Sequence, residues 1–489
     1  MLFNSHIFML LFLPLLLAGW YFLNWKKKFQ LAQGYLIGMS LWFYAYANLQ
    51  YLWLLLFSCL IGWLLSCLPE KIFSKKGKKV LTGVGCVFHL GLLGYFKYSN
   101  FFLENLNTVF HTDFPMLQIL LPVGISFYTF QQLAYLIDRC RGDAPRDSFF
   151  DYLTFMVYFP QLLQGPILLR SEFMGQLKEP ERRRFHAERF SEGIQFFVFG
   201  LAKKVLLADT LAKAVNYGYS NVSMLDSISA LLLAVGYLTE LYFDFSGYCD
   251  MAVGLGKMIG LEVAENFDAP FHSASVKEFW RRWHMTLGRF FTRYVYIPLG
   301  GNRRGKMRTL CNVMIVMLLS GLWHGAAWTF VLWGFLHGVG MIWDNLEHPH
   351  LPKKWMRQAA TFAYVCMTFV FFRAESIAQG VDVLKSIVSL KWNGFVFQMA
   401  SALDMTECYI ITKALSMKLP GLLSWFWLGI FVVLIAICFR VLSGEKVSGV
   451  VAFQRQKGYG RLYPVLLAVL FTWSIISMTG VSEYLYFSF

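Results

Sequence analysis

The chain has 489 residues, of which 57% are hydrophobic and 15% charged, against about 45–50% and 25% in soluble globular domains. That excludes a soluble enzyme, a disordered chain and a collagen-like repeat, and leaves an all-α polytopic membrane protein in contact with the lipid bilayer. Lys plus Arg outnumber Asp plus Glu by 44 to 29, a formal charge of +15; in a membrane protein this excess marks cytoplasmic loops, so no nucleic-acid partner is implied. The nine cysteines form no C-x-x-C pair and fall mostly in apolar runs, so neither a disulfide framework nor a metal site is expected.

In chain order, the apolar run Ile7 to Trp25 precedes Lys26, Lys27 and Lys28, which reads as a first span with its N-terminus outside. Residues 31–68, flanked by lysines at both ends, read as a hairpin. Val80 to Phe96 then leaves the cytoplasm for an outside loop carrying Glu104, His111 and Asp113, and Leu117 to Ile137 returns. The stretch from Tyr152 to Leu169 is broken by Pro160, Gly165 and Pro166 between two basic clusters, which predicts a re-entrant segment. Apolar runs follow at 194–207 and 231–259. Residues 277–308 hold nine basic residues and one acid, Glu278, and read as a long cytoplasmic loop. Further spans are expected near 310–343, 359–372, 422–439 and 462–481, with the C-terminus outside; 378–418 stays open. With no internal repeat or linker, residues 1–489 form one integral domain of about ten or eleven spans.

Within 277–294, Trp280, Trp283, His284, Leu287, Phe291 and Tyr294 recur at three- and four-residue spacing, opposite Arg282, Arg289 and Arg293. That predicts a basic amphipathic helix at the cytoplasmic surface. His284, on its apolar face, is either a packed histidine or a functional one. From Leu310 to Trp343 no Asp, Glu, Lys or Arg occurs over 34 residues, too long for one straight span and short for two. The segment Ser320 to Gly325 supplies a break, and His324, about 15 residues beyond the last basic residue of the loop, falls near the bilayer midplane. An ionisable group at that depth is a functional hypothesis, and an imidazole suits general base catalysis; a structural role is the alternative. Glu240 and Asp244, four residues apart in an apolar run, either line a polar cavity together with Trp323 or bond to a neighbouring helix. His337 reads as structural, and His348 and His350 as solvated. The run 300–306 has P-loop spacing, but Met307 replaces the Ser or Thr that would hold magnesium. No G-x-S-x-G elbow and no H-E-x-x-H motif are present.

Four motifs in order, LYFDFSGY at 241–248, EFWRRWHMTL at 278–287, YIPLGGNR at 296–303 and GLWHG at 321–325, resemble the successive signatures of the membrane-bound O-acyltransferases. The likeness is strongest to the bacterial alginate O-acetyltransferase branch, with a signature core over about 121–345. The resemblance implies a helical funnel in the bacterial cytoplasmic membrane, with His324 catalytic and His284 a second important polar residue. It implies an acyl thioester such as acetyl-CoA as donor, with no tightly bound cofactor, and Arg281, Arg282, Arg303 and Arg304 near the cytoplasmic mouth as its candidate contacts. It also implies an extracytoplasmic SGNH-like partner that completes transfer to a glycan acceptor such as alginate. The competing reading is a non-enzymatic transporter or flippase in which His324, Glu240 and Asp244 relay protons.

Overall fold

The computed structural model describes residues 1–46, 49–67, 75–346, 353–442, 446–458 and 460–478; His348, His350 and the C-terminal residues 479–489 lie outside them. Among the described residues every regular element is helical. Six helices among the described residues are long and apolar enough to cross a membrane: Phe8–Trp25, Leu49–Cys67, Lys76–Phe110, Ser227–Ile259, Lys306–His324 and Pro420–Phe439. This is fewer than the ten or eleven crossings expected. The other expected spans do form helices, among them Phe29–Ala45, Ile125–Arg141 and Trp328–Asn345. They are shorter or more polar, with groups such as Gln131, Gln132 and Asp138 buried against protein. The chain thus forms a multi-pass membrane protein, and it divides into two compact units with interleaved segments: residues 1–197, 251–265 and 289–295, and residues 198–250, 266–288 and 296–489.

In the first unit, the expected outside loop after Phe96 is instead more helix. A π-helical turn, Gly94–Tyr98, leads into Ser99–Phe110, which ends at His111 in left-handed backbone. The reason lies in two asparagines seven residues apart on that helix. Asn100 exchanges hydrogen bonds with the backbone of Leu117 (2.9 and 2.8 Å), and Asn107 does the same with Phe114 (2.9 Å each). The returning segment is thereby fastened along the helix, and its backbone groups are satisfied without secondary structure of their own.

The broken segment 152–169 is buried throughout from Thr154 onward. Ser148 caps the helix Phe149–Val157 through the Asp151 N–H (3.1 Å), the chain turns at Tyr158, and a short turn Phe159–Leu162 precedes an irregular stretch. Its far end is held by ion pairs: Arg170 Nε donates to Asp147 (2.8 Å), and Arg289 reaches Glu172 (2.5 Å). Irregular backbone at such a place is tolerated because protein surrounds it.

The second unit takes residues 227–250 of the 33-residue helix Ser227–Ile259, of whose most apolar window 78% is buried. Its core is aromatic, with Phe245, Phe279, Trp283, Trp333, Phe369 and Phe372 among the members. The apolar run 310–343 forms not one tilted span but two helices, Lys306–His324 and Trp328–Asn345, joined at Gly325, Ala326 and Ala327. They pack so closely that a Cβ on Gly321 would collide with the Phe330 carbonyl oxygen, and one on Gly334 would lie 2.5 Å from that of Met317. His324 therefore closes a 19-residue helix, about 28 Å from its start at the usual rise.

Candidate active site

The expected amphipathic helix over 277–294 is broken where its histidine falls. Val276–Arg282 and Met285–Phe291 are separate helices, with His284 between them at a φ of 45°. Left-handed backbone is uncommon for a residue with a Cβ and needs outside support. Asn266 supplies it. Its main-chain oxygen accepts from Met285 N (2.9 Å), and its side-chain Oδ1 accepts from Thr286 N (3.1 Å) and Thr286 Oγ1 (2.9 Å). The same Oδ1 lies 3.2 Å from His284 Nδ1. An amide oxygen can only accept, so Nδ1 carries the proton and Nε2 the lone pair. His284 is 1% exposed, and burial pushes its pKa down to about 3, which keeps the imidazole neutral.

His324 is 4% exposed, and its ring centroid lies 6.4 Å from that of His284. The two imidazoles share an aromatic enclosure. Trp323 packs 5.9 Å from His284, while Trp333 and Phe372 lie 5.2 and 5.1 Å from His324, all edge-on. Two histidines read from different parts of the sequence are thus brought together, with buried Trp323 beside both.

His337, in contrast, is committed on both nitrogens. Trp280 Nε1 donates to Nδ1 (3.2 Å), and Thr368 Oγ1 lies 2.9 Å from Nε2. This supports its structural reading. Glu240 and Asp244 are both 1% exposed but differ in surroundings. Asp244 pairs with Lys204 (2.6 Å), which also meets Asp209 (2.8 Å), whereas Glu240 Oε2 reaches no hydrogen-bond partner among the described residues. A second, half-buried pair, Lys203 with Asp250 (2.6 Å), lies between one and two turns along the same helix. Lys203 and Lys204 head a π-helical turn. Sequence reasoning passed over them, although two lysines in an apolar run require carboxylates nearby, and Asp244 and Asp250 were available.

The four arginines do not share one environment. Arg282 is committed to Glu278 (2.9 and 3.1 Å) and to the Asp268 carbonyl (3.2 Å). Arg281 is exposed at the end of its helix, and Arg303 and Arg304 are exposed on the glycine loop before Lys306. That loop is pinned by Asn312, whose amide donates to the Gly301 carbonyl (2.9 Å). No cluster of three or more His, Cys, Asp or Glu able to hold a metal ion occurs among the described residues. Asn266 and Thr286 carry no motif of their own; they are recognisable only through the contacts they make.

A helical, multi-pass membrane protein agrees with the comparisons with known proteins. The family model for the membrane-bound O-acyltransferases matches residues 141–375, and the chain belongs to that family, on its alginate O-acetylase-like branch. It is 35% identical to the peptidoglycan O-acetyltransferase of Helicobacter pylori over 423 residues, 80% of each chain. It is 39% identical to a probable alginate O-acetylase of Pseudomonas putida over 393 residues, 77% of this chain and 78% of the relative. A teichoic acid D-alanyltransferase of Streptococcus thermophilus is 28% identical over 253 residues, 49% of this chain and 58% of that protein. The chain is therefore a membrane O-acyltransferase, and the transporter reading is set aside.

Proposed function

We propose that this O-acyltransferase takes an acetyl group from a cytoplasmic thioester such as acetyl-CoA and passes it outward for O-acetylation of an extracytoplasmic polysaccharide. Residence in the bacterial cytoplasmic membrane is part of the same proposal. The observation that carries it is the pairing of His284 and His324 in one aromatic enclosure, with ring centroids 6.4 Å apart. In the step proposed, a hydroxyl oxygen attacks the thioester carbonyl while His324 takes the hydroxyl proton. The carbon–sulfur bond breaks, and the proton passes on to the leaving thiolate. His284, kept neutral with its Nε2 left as the acceptor nitrogen by the bond to Asn266, orients this exchange. Arg281, Arg303 and Arg304 are the donor contacts proposed for the thioester's phosphates, since an exposed arginine can take a phosphate bidentately; Arg282, held by Glu278, is the weakest of the four.

The acceptor is a carbohydrate hydroxyl, reached through an SGNH-like extracytoplasmic partner. Alginate and peptidoglycan are both open, because relatives named for each are similarly close. The decisive experiment is His324→Ala in cells. Acetyl ester content of the cell-surface polysaccharide should fall by about 10²–10⁴-fold in rate terms, while the protein accumulates in the membrane as the wild type does. Unchanged ester content with a stable variant would remove His324 from the reaction.

A further inference from the structure

When a hydroxyl oxygen adds to a thioester carbonyl, negative charge gathers on the carbonyl oxygen. In a low-dielectric enclosure that oxygen needs a hydrogen-bond donor already in place. His324 does not serve while it takes the hydroxyl proton. Nor does His284 Nε2, an acceptor nitrogen because Nδ1 is turned to Asn266 Oδ1 (3.2 Å).

The same enclosure holds a donor with nothing to donate to. Trp333 has no exposed surface, and its indole Nε1 meets no hydrogen-bond acceptor among the described residues. An indole nitrogen can only donate, and a buried donor without an acceptor is costly, so packing alone favours phenylalanine at this place. The neighbouring rings account for the missing acceptor. Phe369 and Phe372 lie 5.5 and 5.0 Å from Trp333, centroid to centroid, and carry no polar atom on their rings. Trp280, at 5.6 Å, is itself only a donor. His337 is nearer, at 4.8 Å, but its Nδ1 already receives Trp280 Nε1 and its Nε2 meets Thr368 Oγ1. The remaining ring contact is with His324, 5.2 Å away and nearly perpendicular, at 85°.

The hairpin fixes the indole in place. Trp333 precedes Gly334 in the helix Trp328–Asn345, and Gly334 is a point where that helix closes on Lys306–His324, an added Cβ lying 2.5 Å from the Met317 carbonyl oxygen. With no slack between the two helices there, the indole keeps its position relative to the imidazole that ends the facing helix. A donor held in this manner needs no reorganisation as charge develops. The attacked carbon lies close to His324, because the hydroxyl giving up its proton is hydrogen-bonded to that ring, and Trp333 packs edge-on against the same ring.

We propose that the Trp333 indole N–H donates to the carbonyl oxygen of the acyl donor as the tetrahedral intermediate forms, which makes Trp333 a catalytic residue. The hydroxyl oxygen bonds to the carbonyl carbon, and the carbonyl π pair moves onto the oxygen that Trp333 holds. On collapse that pair returns, the carbon–sulfur bond breaks, and His324 passes its proton to the thiolate. Trp333 keeps its own proton throughout. The proposal rests on acyl transfer at His324.

The test removes the N–H and keeps the ring. Trp333→benzothienylalanine, introduced at a suppressed stop codon, puts sulfur where the indole nitrogen was, and Trp333→Phe accompanies it. In inside-out membrane vesicles given radiolabelled acetyl-CoA, the saturated rate of acetyl transfer into polysaccharide should fall about 10²–10³-fold in the sulfur analogue. The half-saturating donor concentration should stay within about twofold of the wild type, since the contact is made only in the transition state, and the thermal midpoint should not move. Ester formation in whole cells fed labelled acetate reads the same variants without presuming the donor. His324→Ala, run alongside, separates the two readings: a full rate in the sulfur analogue beside a loss in His324→Ala overturns the role of Trp333 and leaves that of His324 standing. A loss of rate matched by a fall in midpoint, a loss seen only as weaker donor binding, or a loss confined to Trp323→Phe would overturn it as well.

Discussion

At the residue scale, His284 shows how a left-handed turn and a tautomer come from one neighbour. Asn266 Oδ1 receives the Thr286 N–H and hydroxyl and faces His284 Nδ1, so the backbone conformation and the ring's proton are set together. The burial that keeps this imidazole neutral also makes stability depend on pH. With a pKa near 3 in the folded protein and about 6.5 when exposed, the unfolded state binds a proton that the native state refuses. Stability is therefore full above pH 6.5 and lost as pH falls from there toward 3, by up to about 1.4 kcal/mol per unit from this group. His284→Gln keeps a hydrogen-bonding N–H in an amide but has no titrating group. In thermal unfolding of the detergent-solubilised proteins, the midpoint difference between wild type and His284→Gln should shift against the wild type between pH 7 and pH 5. A difference that stays constant across that range would show that His284 titrates normally.

Element-scale behaviour is clearest in the hairpin of Lys306–His324 and Trp328–Asn345. The neighbours that a Cβ on Gly321 would meet are backbone atoms, the Phe330 carbonyl and, at 3.2 Å, the Gly334 Cα; backbone cannot rotate away as a side chain can. Gly321→Ala should force the helices apart at a cost of about 1–3 kcal/mol, and should impair acyl transfer, because His324 lies three residues on in the same helix. Gly429, in the helix Pro420–Leu442, has nothing within 4 Å of an added Cβ. Gly429→Ala should be neutral or stabilising by about 1 kcal/mol through helix propensity. Unfolding midpoints and acetyl transfer rates of the two variants test this contrast, and equal behaviour would refute the packing argument. The sequence anticipated a break near Gly321 to Gly325, since an uncharged run of that length cannot remain one straight span. It did not show that the break falls after His324, because that depends on which glycines meet the facing helix.

Across the whole molecule, charge asymmetry sets the orientation of the chain. In a variant lacking the nine native cysteines, a cysteine at Arg304 should react with an impermeant maleimide only after the cytoplasmic membrane is opened, and one at Asn107 should react in intact cells. The reverse pattern would invert the proposed direction of acyl export. Composition and charge alone determined that the protein is helical, membrane-embedded and multi-pass, because burial of backbone in lipid leaves few solutions and loop charge selects the side. Motif order determined the family, and the isolation of His324 in an uncharged run marked it as a candidate. Only the tertiary structure separated the histidines, since His337 finds its partners Trp280 and Thr368 at 57 and 31 residues' distance. Only the tertiary structure gave Asp244 to Lys204, 40 residues away, and left Glu240 differently placed four residues earlier. Spacing along a helix says which side chains share a face. It does not say what stands opposite them, and a buried polar group takes its role from the partner that satisfies it.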